Sequence, residues 1–329
     1  MFRTAGEVSV KLSFAPLEGI TTWVFRSIHR EMFPGVSAYY APFFAPTLDS
    51  PLTGRGLADL LPEHNEGVPL VPQLLTNQAE AFLAACDELE KLGYKEVNLN
   101  LGCPSGTVVA KKKGSGFLGL PEELDAFLDR VFSRTRLAVS VKTRIGLNSP
   151  DEWPRLLEIY SHYPIKELTV HPRIRKDFYR GPVRREAFAY AVEHTSLPLC
   201  YNGDLGSAED CRKFEKEFPT VQSVMVGRGL VGNPALAREY FGGPPLNKSE
   251  MKAFHDRLCE AYRSLYSGDR PVLGKMKELW FYMAPLFDGP DKPLKAIRKA
   301  KTLDVYSDAS AALFRNCDLI PGGKFVFEP

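Results

Sequence analysis

Cys103 is the residue of this sequence best placed to do chemistry. Residues 97–101 alternate apolar side chains with asparagines, which is the period of a strand. The pattern stops at Gly102, and Cys103 and Pro104 open a loop rich in glycine and lysine. A thiol just beyond the carboxyl end of a strand is where an α/β enzyme places a reactive group. The alternative is a buried structural cysteine, which suits a packed helix better than this loop.

The chemistry open to Cys103 is proton donation. A free thiol has a pKa of about 8.5, so at neutral pH it is mostly protonated. No histidine or aspartate lies near Cys103 in the sequence to activate it as a nucleophile, and no second ligand accompanies it at a metal-binding spacing. The six cysteines form no CxxC pair, so we predict neither a metal site nor a disulfide framework.

The elements that must position Cys103 follow a repeating pattern. Eight strand patterns alternate with helical patterns, as in an α/β protein of the (β/α)8 TIM-barrel class. The strands are predicted at 10–17, 37–43, 68–74, 97–101, 138–143, 167–171, 197–201 and 222–226. A Gly- and Pro-rich stretch at 241–245 reads as a linker, and helical patterns alone follow it. We therefore predict a barrel domain over residues 1–242 and a small all-α domain over residues 243–329.

Polar, basic or glycine residues stand at nearly every predicted carboxyl strand end. Function in such a barrel lies at these ends, and a purely structural barrel would not require this convergence. The segments are Pro16-Leu17-Glu18-Gly19, Gln73, Asn100 with Cys103, Lys142 with Arg144, His171 with Arg173, Asn202-Gly203-Asp204 and Gly227-Arg228-Gly229.

The ends of the seventh and eighth strands predict a phosphate site. Their glycines allow backbone N–H groups to approach an anion, and the helix that follows each loop adds its dipole. Arg228 would hold the phosphate with its planar guanidinium. Simple turn glycines are the alternative for Gly203 and Gly227, but the pair together with an arginine favours a phosphate.

The position of Lys142 indicates that a negatively charged group binds next to it. It ends a strand of small and apolar residues, and an inward lysine is costly unless it meets an opposite charge. Gln73 could donate to and accept from the rim of the same group. For Lys142 the alternative is a side chain that reaches water, and for Gln73 a structural role stays open. His171 either bonds nearby backbone or contacts the substrate.

Asn100-x-Gly102-Cys103-Pro104, with Lys-x-Gly-x-Gly downstream, resembles the active-site signature of the tRNA-dihydrouridine synthases. The similarity extends over nearly the whole chain, and Glu18 before Gly19 resembles the C-type bacterial branch. It includes the segments 15–19, 142–146, 170–171, 179–181, 202–204 and 227–229.

This resemblance implies an FMN-containing barrel with a helical tRNA-binding domain at the carboxyl end. It implies that NADPH or NADH reduces FMN, and that flavin N5 then passes hydride to C6 of a tRNA uridine while Cys103 protonates C5. Asn100 and Arg144 would lie near the base. The implied FMN contacts are Pro16, Leu17, Glu18, Gln73, Lys142, His171, Asn202, Gly203, Asp204, Gly227 and Arg228, and reduced FMN offers Lys142 an anionic N1–C2=O region.

Charge and composition limit the partners. The formal net charge of the 329 residues is only +2, so an RNA contact must come from local patches. From residue 243 onward, 14 Lys and Arg against 11 Asp and Glu give +3. We expect RNA backbone contacts from Lys295 and Arg298 in the basic stretch 292–301, and from the basic runs 111–113 and 173–185. Each run could instead be a solvated surface.

Composition also bears on location. The sequence has no apolar run of membrane-spanning length and no secretory signal at its amino end. We therefore expect a reduced, cytoplasmic protein that works as a monomer, without a membrane or metal partner.

Two other functions remain open at this point. The first is an FMN-dependent oxidoreductase of free pyrimidines, of the dihydroorotate or dihydropyrimidine dehydrogenase kind; the basic helical tail has no purpose there. The second is an RNA-binding protein whose barrel has lost catalysis, against which the set Cys103, Lys142, Arg228 and Gln73 argues.

Overall fold

A closed barrel of parallel strands forms the centre of the protein. The computed structural model describes residues 10–52 and 54–327, and within them the strand order is β3-β2-β1-β9-β8-β7-β6-β5-β4. The strands are β1 (Lys11–Phe14), β2 (Ala38–Tyr40), β3 (Leu70–Val71), β4 (Gln73–Leu74), β5 (Glu96–Leu101), β6 (Ala138–Arg144), β7 (Leu168–His171), β8 (Leu199–Tyr201) and β9 (Ser223–Val226).

The two segments at the ends of this order are halves of one strand. Only Pro72 separates β3 from β4, and a proline has no N–H to donate to a ladder. Its carbonyl still accepts from the N–H of Asn98, so pairing continues across the break. The sheet thus returns on itself with eight strands, and the predicted (β/α)8 barrel is confirmed.

Helices surround the barrel between successive strands. They are α1 (Trp23–Met32), α2 (Arg55–Ala58), α3 (Ala79–Lys91), α4 (Gly106–Val109), α5 (Pro121–Phe132), α6 (Trp153–Ser161), α7 (Arg185–His194), α8 (Ala208–Glu217), α9 (Arg228–Gly232) and α10 (Leu236–Tyr240). Helix α3 shows why such segments fold: Phe82, Cys86 and Leu89 form a buried stripe against the strands.

The pairing register decides which side chains enter the barrel. Side chains of one strand alternate between the helices and the interior. Asn100 pairs with Lys142 and Lys142 with Thr169, while Arg144 pairs with His171 one step nearer the carboxyl ends. Polar side chains therefore meet in the upper interior. An apolar cluster that includes Tyr40, Val71, Cys200 and Met225 fills another part of the barrel.

Four further helices follow the barrel and pack against it. They are α11 (Lys248–Leu265), α12 (Asp269–Met283), α13 (Asp291–Lys299) and α14 (Leu303–Asn316). Phe254 of α11 is fully buried and meets the rings of Phe25 and Phe33 edge-on, each at 5.4 Å between centroids. An all-α region after the barrel is what the sequence predicts, and the boundary at 242–243 stays a prediction. Residues 1–9 and 328–329 of the two predicted domains lie outside the described residues.

We expect Phe254→Ala to destabilise the protein by about 3–5 kcal/mol, because it leaves a cavity between α11 and α1. Urea unfolding would measure the loss. Phe241→Ala is the matched control, since Phe241 is 41% exposed, and it should cost less than about 1 kcal/mol. Equal losses in the two variants would mean that α11 does not depend on this aromatic contact.

Candidate active site

A cavity of about 640 Å³ opens at the carboxyl ends of the barrel strands. This volume lies in the usual range of small-molecule sites. The residues predicted for catalysis, cofactor binding and base contact all line it: Pro16, Leu17, Glu18, Gln73, Asn100, Cys103, Lys142, Arg144, His171, Asn202, Gly203, Asp204, Gly227 and Arg228. Lys295 and Arg298 lie elsewhere, on α13.

The Asn100 side chain fixes the turn that carries Cys103. Its Oδ1 accepts from the backbone N–H of Gly102 at 3.0 Å and from that of Cys103 at 2.9 Å. On the other side of the thiol, Ser115 donates to the Cys103 carbonyl from both its N–H and its Oγ. The turn is therefore tied to β5 and to the Gly114–Gly119 turn, and the thiol faces the cavity in a defined place.

Cys103 is a protonated thiol at neutral pH. Burial is the largest influence and raises the pKa of the Cys103 thiol above its ordinary value. The N–H of Ser105 and the positive charges of Arg144 and Lys142 act in the opposite direction but do not outweigh burial. A raised pKa favours the protonated thiol over the thiolate, and the role of Cys103 as a proton donor stays a prediction.

A chain of amides runs from Asn100 through the barrel interior. Asn100 Nδ2 donates to Gln73 Oε1 at 2.7 Å, and Gln73 Nε2 donates to Asn98 Oδ1 at 2.8 Å. Asn98 in turn donates to Ser140, which donates to Glu96. Asn98 and Ser140 were not predicted as part of the site. The strand period placed them on the interior face, but no local signal links them to Gln73.

Lys142 points its ammonium into the cavity without a partner. Among the described residues no hydrogen bond or ion pair reaches it. Burial is the largest cause that lowers the Lys142 pKa to about 8, and the charge of Arg144 adds to the effect. An enclosed cation without a counter-charge is costly, so this position favours an anionic ligand.

His171 is neutral and its tautomer is set by Arg173. Burial, followed by the charges of Arg144, Lys142, Arg173 and Arg228, holds the His171 pKa well below its usual range. Arg173 Nη1 lies 3.2 Å from His171 Nε2, and a guanidinium can only donate. Nε2 is therefore the acceptor, and the proton lies on Nδ1.

Arg144 is buried, and its guanidinium joins two loops through three carbonyls. It donates to the carbonyls of Gly102 at 2.8 Å, Ile174 at 3.0 Å and Phe178 at 2.7 Å. Arg144 thereby ties the turn of Cys103 to the loop that follows β7. In that loop Phe178 has a left-handed φ of 49°, which a bulky residue rarely adopts.

Asp204 is committed to two arginines. Its carboxylate accepts from both terminal nitrogens of Arg173 and from Arg228 Nη2 at 3.1 Å. A carboxylate repels a phosphate, so Asp204 serves the predicted phosphate corner by orienting Arg228. Arg173 is only 2% exposed, so it does not belong to the exposed basic run predicted from the sequence.

Glycines allow close packing at the corner between the β8 and β9 loops, because a side chain there would collide with its neighbours. A Cβ atom at Gly203 would lie 2.7 Å from the Tyr201 hydroxyl, and one at Gly229 would lie 2.4 Å from the Leu205 carbonyl oxygen. Asn202 joins the two strands by donating to the Met225 carbonyl at 2.8 Å. Helix α9, which follows the β9 loop, has only five residues, so its own dipole contributes little at this corner.

One wall of the cavity comes from residues far along the chain. After β1, Gly19 turns the backbone with a φ of 75°, and Lys275 of α12 donates to its carbonyl at 2.5 Å. Sequence reasoning missed the further wall residues Glu278, Phe281, Tyr282, Pro285, Phe325, Val326 and Phe327. These residues follow no strand or motif, so no local signal identifies them.

A basic face of α13 stands apart from the cavity. Five exposed cations lie in or next to this helix, and in the described part of the chain none of them forms an ion pair: Lys292, Lys295, Arg298, Lys299 and Lys301. Leu294 and Ile297 are buried on the opposite side. By contrast, Lys277 donates to the Ala300 carbonyl, so it is not a free cation.

Residues 10–52 and 54–327 contain neither a metal-binding cluster nor a membrane-spanning helix. No group of three or more His, Cys, Asp or Glu side chains could hold a metal ion there. No helix in the same ranges combines the length and apolarity that a bilayer crossing requires.

Comparison with known proteins gives a family match over most of the chain. The family model "Dihydrouridine synthase (Dus)" matches residues 13–270. A "tRNA-dihydrouridine(16) synthase" of Pseudomonas putida is 27% identical over 83% of this chain and 88% of its own length. A "tRNA-dihydrouridine(20/20a) synthase" of Pseudomonas aeruginosa is 33% identical over 63% of this chain and 68% of its own length.

Similar solved structures include an old yellow enzyme homologue from Zymomonas mobilis and a morphinone reductase. The first has a TM-score of 0.49 at 11% identity, covering 73% of this chain and 90% of that one. The second has a TM-score of 0.48 at 12% identity, covering 72% and 86%.

We expect Arg144→Lys to loosen the loop after β7, since one ammonium cannot reach three carbonyls that diverge from a planar guanidinium. Hydrogen exchange of residues 174–181 should rise roughly tenfold or more, as expected when about 1.4 kcal/mol of local stability is lost. Exchange in α3, which follows β4 and receives no hydrogen bond from Arg144, is the internal control and should not change. A loop whose exchange equals that of the unmutated protein would show that Arg144 does not hold it.

Proposed function

The chain belongs to the dihydrouridine synthase family, and we propose on that premise that it reduces the C5–C6 double bond of uridines in tRNA. The product is 5,6-dihydrouridine, the cofactor is FMN, and the reductant is NADPH or NADH. One observation carries the proposal: a protonated thiol, Cys103, and a cation without a partner, Lys142, face the same cavity at the barrel mouth.

The residues that line the cavity suit FMN by charge. Lys142 would meet the anionic N1–C2=O region of the reduced ring and Gln73 its rim, because both side chains end at the cavity. At the other end, Arg228 and the glycine turns would hold the phosphate, with Asp204 and Asn202 keeping that corner in shape. Pro16, Leu17, Glu18 and His171 complete the proposed cofactor contacts.

When bound and reduced, FMN supplies a hydride to C6 of the uracil. Cys103 supplies the matching proton: its S–H bond breaks, a C–H bond forms at C5, and the thiolate regains a proton from water. Asn100 holds the backbone of Cys103, so the thiol keeps one position during this transfer. Asn100 and Arg144 line the space that the base would occupy, and the charge of Arg144 favours the transient thiolate.

The target base must leave its RNA stack to reach a thiol inside the cavity at the barrel mouth. We assign the holding of the RNA backbone to the basic face of α13, with Lys295 and Arg298 as its central members. These side chains are exposed and lack ion-pair partners within the described residues, so they are free to bind phosphates. A free pyrimidine would need no such face.

Several finer points stay predictions. Relatives named for position 16 and for positions 20 and 20a both match, so the branch suggested by Glu18 and the uridine position are not decided by similarity. The cytoplasmic location and the monomeric state also stay predictions.

The decisive experiment combines the purified protein, FMN, NADPH and an unmodified tRNA transcript, with mass spectrometry of the digested RNA. We expect dihydrouridine in the tRNA and no reduction of free uracil or oxidation of dihydroorotate. Turnover of the free pyrimidines alone would contradict the proposal, and so would a protein that takes up no flavin.

We expect Cys103→Ala to retain FMN and its reduction by NADPH but to lower dihydrouridine formation by about 100-fold or more. The flavin spectrum reports the first two properties and mass spectrometry the third. Cys86→Ala, at a buried cysteine outside the cavity, is the control for loss of a thiol. A Cys103→Ala protein that loses its flavin would mean that this residue is structural.

The Lys142 pKa of about 8 predicts how binding of reduced FMN depends on pH. Below about 8 the ammonium is already charged; above it, binding must take up a proton. Affinity should therefore fall by up to about tenfold per pH unit above about pH 8. Anaerobic titration of the flavin-free protein would measure this. Lys142→Met should bind more weakly with a flat profile, and an unchanged slope in that variant would contradict the assignment.

A further inference from the structure

A short carboxyl-terminal segment crosses the barrel mouth. We call residues 324–327 the strap. Phe325 is 3% exposed and packs on Tyr282 and Phe281 of α12, at 5.5 Å and 5.9 Å between ring centroids. Phe325, Val326 and Phe327 all line the 640 Å³ cavity. The strap is thus part of the cavity wall on the side of the predicted phosphate corner.

The strap encloses the arginine of that corner. The Arg228 guanidinium carbon lies 4.6 Å from the centre of the Phe327 ring and 5.6 Å from that of Phe325. The Tyr179 ring stands at 5.4 Å, and Asp204 bonds one of the terminal nitrogens. Aromatic faces attract a guanidinium, so these contacts restrict the directions in which Arg228 can point.

Two glycines that allow close packing and one ion pair hold the strap in place. A Cβ atom at Gly206 would lie 2.8 Å from the Phe325 carbonyl oxygen and 2.9 Å from the Phe327 ring. A Cβ atom at Gly232 would lie 3.3 Å from Phe325 Cβ. Lys324 pairs with Asp210 of α8 at 3.1 Å. The strap therefore rests on the loop after β8 and on helices α8 and α9, which follow the two strands of the phosphate corner.

Phe327 also separates the cavity from a second opening. A neighbouring space of about 420 Å³ is lined by Phe327, Arg173, Arg185 and Tyr201, among others. The two spaces have Arg180, Gly203, Asp204 and Phe327 in common. Without the Phe327 ring, the corner that we assign to the phosphate would open to this side as well.

We propose that the strap closes over the phosphate end of bound FMN and retains the cofactor. This inference rests on the proposed function, because it requires FMN in the cavity. Phe327 covers the corner and, together with Phe325, holds Arg228 toward it. Removal of the Phe327 ring therefore opens an exit and frees the cation that grips the phosphate.

The test measures the release of flavin from the full-length, FMN-loaded protein by the rise in free-flavin fluorescence after dilution. Phe327→Ala should release FMN roughly tenfold faster and bind it correspondingly more weakly. Phe327→Tyr, which keeps an aromatic face, should behave as the unmutated protein does, and Phe327→Leu should fall between the two. Phe241→Ala, an equal truncation at an exposed site outside the cavity, should change nothing.

Riboflavin, which lacks the phosphate, is the second probe. Because the strap acts at the phosphate end, Phe327→Ala should weaken riboflavin binding less than about twofold. Equal losses for both flavins, or FMN release at the unmutated rate, would overturn the strap while leaving the proposed function standing. An unmutated protein that binds neither flavin would overturn both. Thermal unfolding of the flavin-free variants checks that each one folds.

Discussion

The amide of Asn100 is the interaction on which the site depends. Its oxygen accepts from two consecutive backbone N–H groups at the thiol turn, and its nitrogen donates to Gln73 inside the barrel. From Gln73 the hydrogen bonds continue through Asn98 and Ser140. Cys103 lies on a loop, yet its position follows the barrel strands, because a buried amide that lost these partners would leave polar atoms unsatisfied.

Positive charge is the second constraint. Lys142, Arg144, Arg173 and Arg228 converge on the barrel mouth, and burial keeps His171 neutral among them. Asp204 is the carboxylate that bonds two of these arginines, and among the described residues no carboxylate pairs with Lys142. Such a site is electrostatically incomplete in the free protein. An anionic ligand would stabilise it at both ends, at the ring through Lys142 and at the phosphate through Arg228.

The sequence could predict the features that follow from local patterns, but not those that depend on contacts between distant residues. The strands were predictable from their period of two, and Cys103, Lys142 and Arg228 were predictable because a barrel gathers its strand ends at one mouth. Arg144 and Arg173 were visible as charges, but their partners were not, since carbonyls 30 or more residues away and a carboxylate on another loop leave no local trace. The same holds for Phe325 and Phe327, which lie in a stretch without helical or strand period.

Because α12 contributes a wall of the cavity, the barrel and the helices that follow it are not independent of each other. A pattern of strands followed by helices suggests a catalytic barrel joined to an independent helical domain. Yet Glu278, Phe281 and Tyr282 face the barrel mouth, and Lys275 of the same helix bonds the turn after β1. Without α12, the barrel would lack one wall of its cavity. The helical part therefore cannot be exchanged as a free-standing module: a graft between relatives would have to carry the matching rim of the barrel with it.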